Sequence, residues 1–107
     1  MLNTKYISSK ILGGGKAFIK DTKIGEKFTI SEMSAEEIQI ETSLQLDIDT
    51  IVKLKIRLDS ILFEININAL GKVVEKQEEA QIYKIEFIDM KDNVKEEIDD
   101  IIRRSCN

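Results

Sequence analysis

The segment Val52 to Leu58, VKLKIRL, alternates without exception: Val52, Leu54, Ile56 and Leu58 on one phase, Lys53, Lys55 and Arg57 on the other. A period of two puts the aliphatic set on one face of an extended strand and the cations on the opposite face, so one side is buried and the other wet. The same rhythm recurs downstream. Asp59 and Ser60 give a turn, and Ile61 to Ala69 sets Phe63, Ile65, Ile67 and Ala69 against Glu64, Asn66 and Asn68. Gly71 falls in phase in the extension toward Val73 and Val74, where a missing side chain predicts a bulge or a sharp bend at a barrel corner. The polar run Glu75 to Ala80 reads as a turn, and Gln81 to Ile88 as a strand with Tyr83, Ile85 and Phe87 on one face.

Upstream, Lys16 to Lys20 reads as the first strand, Asp21 to Gly25 as a turn, and Glu26 to Ser31 and Ile38 to Thr42 as the next two strands. Leu44 to Thr50 is expected to be an exposed connection with partly buried leucines. Residues 1 to 12 have only weak apolar content, and the triplet Gly13, Gly14, Gly15 is a poor choice for a strand interior. A flexible arm over residues 1–15 and a folded domain over 16–104 follow. The triplet lacks the lysine-hydroxyl spacing and the following helix of a nucleotide-hydrolase phosphate loop. From Met90 the period changes to that of a helix, with Val94, Ile98, Ile101 and Ile102 on one stripe. Asn93 with Glu96 fits a capping box, with Asp89 as an alternative start. Alternating segments with no helix between them predict an all-β fold, an antiparallel barrel or curled sheet closed by one C-terminal helix.

Composition narrows the chemistry. The 107 residues suit one domain, 42% hydrophobic and 34% charged, with enough chain to bury one core. There is no histidine, which removes the usual general base and the commonest metal ligand, and the single cysteine, Cys106, excludes an internal disulfide and a structural zinc site. No apolar run approaches the roughly 20 residues that span a bilayer, and the start MLNTKYISSK lacks a hydrophobic signal core, so a cytoplasmic protein without membrane insertion is expected. The acids lack EF-hand spacing and fall on polar phases. Charge is uneven: residues 1–27 carry six lysines against two acids, in a chain of net charge −4. A basic N-terminal stretch of this kind can meet a phosphate or an acidic partner, or simply decorate wet strand positions.

Between the strands Glu26 to Ser31 and Ile38 to Thr42 lies a short polar loop holding Glu32, Ser34 and Glu37. A loop held between paired strands points its side chains and N–H groups in fixed directions. The stretch resembles the second motif of PilZ domains, Asp/Asn-x-Ser-x-x-Gly followed by an alternating strand: Ser34 matches, Glu32 stands at the Asp/Asn position and Glu37 at the glycine. The resemblance continues through VKLKIRL, ALGKVV (Ala69 to Val74), YKIEF (Tyr83 to Phe87) and the closing helix. It implies a six-stranded antiparallel β-barrel with a C-terminal α-helix, and a role in bacterial second-messenger, motility or pilus signalling.

PilZ domains that bind cyclic di-GMP add an Arg-x-x-x-Arg motif before the first strand. Here the arginines are Arg57, Arg103 and Arg104, so that patch is absent, and Lys5, Lys10 and Lys16 are the nearest cations. Lysine offers a point charge but neither stacks on a guanine nor forms a planar fork. Two missing charged hydrogen-bonding partners cost about 1.5–3 kcal/mol each, and acids at Glu36 and Glu37 would repel a dianion. The reading that follows is a non-enzymatic PilZ-like module that contacts a protein partner and is impaired in nucleotide binding. The alternative is a cyclic di-GMP receptor using Lys5, Lys10 and Lys16 with Glu32, Ser34 and Glu37. No metal or other cofactor is expected. Nor is a nucleic-acid partner, since aromatics are 6% of the chain and the net charge is negative.

Overall fold

The computed structural model describes residues 12–19, 25–59, 64–77 and 79–105. Six strands are followed by one helix: β1 (Leu12–Ile19), β2 (Glu26–Met33), β3 (Glu37–Thr42), β4 (Ile51–Asp59), β5 (Glu64–Gln77), β6 (Ile82–Ile88) and α1 (Asp92–Ser105). They close an antiparallel barrel in the order β1-β2-β3-β6-β5-β4, with β4 returning to β1. The aliphatic phase of β4 is the barrel's interior: Val52, Leu54, Ile56 and Leu58 are buried, while Lys53, Lys55 and Arg57 are exposed. Phe28, Ile38, Ile40, Val73 and Ile85 join them from the other strands.

The two ends are sealed differently. At one end Leu46 is buried, and its N–H donates to the Tyr83 hydroxyl at 3.3 Å, so the ring fills core while its oxygen serves the connection between β3 and β4. Asp49, at φ 72°, and Thr50 pin that connection to Val73 through backbone bonds of 2.8 and 3.0 Å. At the other end lie the β2–β3 loop and the start of α1. The helical stripe forms as the period of 3.6 requires, with Ile98, Ile101 and Ile102 buried in the barrel's core cluster and Val94 packed against it. The first helical bonds, from the N–H groups of Val94 and Lys95, go to the Lys91 carbonyl at 3.0 Å, so Lys91 occupies the cap position and Asn93 sits inside the first turn. Asp89, at φ 52°, turns the chain from β6 into the helix.

The glycine triplet corrects the expectation that a flexible arm extends to residue 15. Gly13, Gly14 and Gly15 lie within β1 and pair with β4, and Gly14 and Gly15 also pair with β2. A Cβ on Gly15 would lie 1.8 Å from the Lys55 carbonyl oxygen and 3.0 Å from the Phe28 ring. The residue is small because β4 and the Phe28 ring crowd it on both sides. The first strand therefore begins at Leu12 rather than Lys16; the proposed arm over residues 1–11 lies outside the described residues.

Two irregularities also move. The bulge expected at Gly71 falls three residues later, where the register shifts between Val73 and Glu75. Gly71 itself is a regular paired residue, small because the Ile85 Cγ2 methyl occupies the place its Cβ would take, 2.3 Å away. Past the bulge β5 continues to Gln77, so Glu75 to Gln77 are strand and not turn. A second register shift, between Ile30 and Glu32, lets β2 run on to Met33, which is buried although it is out of phase with Phe28 and Ile30.

Candidate functional site

Antiparallel pairing of β2 with β3 brings Met33 opposite Ile38 and leaves Ser34, Ala35 and Glu36 to cross between them. The crossing is closed by Ser34 from both its groups. Its N–H donates to the Glu37 carbonyl at 2.8 Å, and its hydroxyl oxygen accepts the N–H groups of Glu36 at 3.1 Å and Glu37 at 3.2 Å. This is the local side-chain mimicry by which serine supports tight turns. Ser34 is buried at 6% exposure and Ala35 at 5%, so the turn is packed inward rather than presented.

The loop's acids are held by neighbouring strand and helix. Glu37 pairs with Lys84 on β6 at 3.5 Å, and Glu36 pairs with Lys95 on α1 at 3.7 Å. The Glu36 carbonyl also accepts the Phe87 N–H at 3.0 Å. These contacts make the loop a clamp between β6 and the helix. The repulsion expected of Glu36 and Glu37 toward an anion is correspondingly softened by the lysines beside them. The space left among Glu32, Met33, Ser34, Glu37, Ile38, Gln39 and Lys84 is about 10 Å³. That is room for one water at most, whereas pockets for drug-sized ligands run to about 300–1,000 Å³.

The residues expected to cooperate are not assembled here. Glu32 near the end of β2, Ser34 in the turn and Glu37 at the start of β3 stand together, the first and last being strand rather than loop. Lys16, however, lies on the outer face of β1 opposite Lys27. From Lys27 to Ser34 is seven residues along β2, a run of roughly 20 Å. Lys5 and Lys10 lie outside the described residues. No group of His, Cys, Asp or Glu among the described residues is placed to hold a metal, and no helix among them is long and apolar enough to cross a membrane.

No protein-family model matches the sequence, and neither does any curated protein.

Two features elsewhere on the barrel were not anticipated. The first is a groove of about 680 Å³ between β5 and the start of α1, walled by Ile67, Ala69, Leu70, Ile88, Met90 and Val94 and edged by Lys53, Asn66, Asn68, Lys91 and Glu97. It opens because β6 ends opposite Leu70, so that Glu64 to Ala69 have β4 as their one strand neighbour among the described residues. Leu70 is 48% exposed beside it. The second is the gathering of cations on the outer face of β2, β1 and β4, which the register creates from segments far apart in sequence. The alternation at Val52 to Leu58 showed that the cations of β4 face outward; only the pairing order shows what stands next to them.

Proposed function

We propose that this barrel is a non-enzymatic interaction module, similar in architecture to a PilZ domain, that works by contacting a protein partner and binds cyclic di-GMP poorly or not at all through its β2–β3 loop. The observation that carries the reading is the use made of Ser34. The one residue that matches the ligand motif is buried and already accepts two backbone N–H groups of its own loop. A guanine edge or phosphate could reach it only by opening the turn, which would also unseat Glu36 and Glu37 from Lys95 and Lys84. The missing guanidinium partners noted in the sequence compound that cost. A catalytic role lacks support for a simpler reason: around the loop Glu37 and Glu36 are ion-paired to Lys84 and Lys95, and the Ser34 hydroxyl is engaged by its own backbone rather than by a base. The sequence resemblance to PilZ domains is what supports proposing a role for such a module in bacterial second-messenger, motility or pilus signalling.

Isothermal titration of the full chain with cyclic di-GMP tests this reading. It predicts no saturable heat below about 100 μM ligand, equivalent to a binding free energy weaker than about −5.5 kcal/mol. Saturation below 10 μM would establish the receptor reading instead.

A further inference from the structure

Lys16 is directly opposite Lys27 on β2 and directly opposite Lys55 on β4. All three side chains are exposed on the outer face of the barrel. Neighbouring strands are about 4.8 Å apart, so the row Lys27–Lys16–Lys55 carries three ammonium groups across about 10 Å of sheet. Lys53 and Arg57 flank Lys55 on β4, each about 7 Å along the strand, with Arg57 ion-paired to Glu64 on β5 at 3.3 Å. Like charges directly opposite one another destabilise a sheet, and here one residue faces a like charge on both sides. Among the described residues Lys16, Lys27 and Lys53 have no ion-pair partner. Lys55 stands over the Phe18 ring at 5.5 Å from its centroid, which fixes its ammonium over the face without neutralising it. The chain as a whole has a net charge of −4, with exposed Glu41, Glu86, Glu96, Glu97 and Asp100 on β3, β6 and α1. Of the acids nearer the row, Glu26 on β2 accepts the Ser43 hydroxyl and Glu64 on β5 pairs with Arg57, so neither is ion-paired to Lys16, Lys27 or Lys53. A local arrangement that works against folding in this way marks a place where something other than folding set the residues.

We infer that the outer face of β2, β1 and β4 is the docking surface for an acidic, aliphatic-bearing segment of a protein partner. This deepens the interaction-module reading by naming the surface and the chemistry of what it binds. Three observations choose a protein segment over other polyanions. The face is the convex outside of a barrel, and its one aromatic, Phe18, lies under the Lys55 ammonium rather than open for base stacking. The row continues at the same level into Asn68 on β5, with Asn66 beside Arg57, and these amides both donate and accept, as a peptide backbone requires. Beyond them lies the aliphatic groove with exposed Leu70, which shares Lys53, Asn66 and Asn68 with the basic face. A segment whose carboxylates meet the lysine row can therefore place an aliphatic side chain beside Leu70. Lysine suits this task, since carboxylates on a mobile segment need point charges rather than a fixed fork.

The test is fluorescence anisotropy of the full chain with four labelled probes: a ten-residue oligoglutamate, the same length with leucine at every third position, a 20-nucleotide single-stranded DNA, and vesicles containing phosphatidylserine. The leucine-bearing peptide is expected to bind tightest, to weaken at least ten-fold between 50 and 300 mM salt, and to weaken at least ten-fold in K16E/K55E. The neutral pair K16Q/K55Q is expected to fall between, and circular dichroism melting checks that both variants remain folded. Tighter binding of the DNA or the vesicles, no binding of either peptide at 1 mM, or peptide binding indifferent to K16E/K55E would overturn the assignment. Cyclic di-GMP binding at the loop would defeat the non-receptor reading while leaving this result standing, so the two failures are distinguishable.

Discussion

Replacing Lys16 by Glu should stabilise the barrel. In the native sheet Lys16 faces Lys27 on one side and Lys55 on the other, two like-charged cross-strand pairs. Each cross-strand pair interaction is worth about 0.2–1 kcal/mol, and the substitution reverses the sign of both. All three side chains are exposed, which holds each pair to the lower part of that range through solvent screening. The expected gain is about 0.5–2 kcal/mol in low salt, from summing the two reversed pairs. Urea unfolding followed by circular dichroism at 20 and 300 mM sodium chloride reads it directly, since the Debye length falls from well over 10 Å to a few ångströms and the gain should shrink with it. An equal or lower midpoint for Lys16→Glu at 20 mM salt, or a gain that salt leaves untouched, would refute the argument that the lysine row is in mutual repulsion. A gain in stability together with a loss of acidic-peptide binding would show folding and function pulling the same residue in opposite directions.

Ser34→Ala removes the acceptor of two loop N–H groups in a buried turn and is expected to cost about 1–3 kcal/mol in urea unfolding; a change under 0.3 kcal/mol would mean water satisfies those groups. Gly15→Ala forces a methyl against the Lys55 carbonyl and should cost about 2 kcal/mol or more, or prevent soluble expression, where a flexible hinge would tolerate alanine or gain from it. Ile98→Ala, at a fully buried position of the helix stripe, should cost about 2–5 kcal/mol, and a smaller loss would show that the helix is not part of the barrel's core.

Where one rule of local chemistry acted alone, the sequence was enough. Strict alternation in Val52 to Leu58 set the inner and outer faces of β4, and the stripe Val94, Ile98, Ile101 and Ile102 set the buried side of α1. Where a residue's reason lay in its spatial neighbours, the sequence misled. Gly15 reads as freedom of the backbone, yet it is small because the Lys55 carbonyl and the Phe28 ring leave no room. Met33 breaks the phase of Phe28 and Ile30 and so reads as loop; the register shift after Ile30 returns it to the core. The loop was legible as a loop, and Ser34 as its pivotal residue, but whether its hydroxyl faced a ligand or its own backbone depended on hydrogen bonds that no spacing reveals. The lysine row was hidden for the same reason, because Lys16, Lys27 and Lys55 become neighbours only once the strand order is known.

Backbone amide shift mapping of the nitrogen-15-labelled protein, titrated in turn with the leucine-bearing acidic peptide and with cyclic di-GMP, tests the whole assignment at once. The peptide should move the amides around Lys16, Lys27, Lys55 and Asn68 while cyclic di-GMP leaves Ser34 to Glu37 where they were. Saturable shifts at Ser34, Glu36 and Glu37 with the dinucleotide, and a silent lysine row with the peptide, would contradict it.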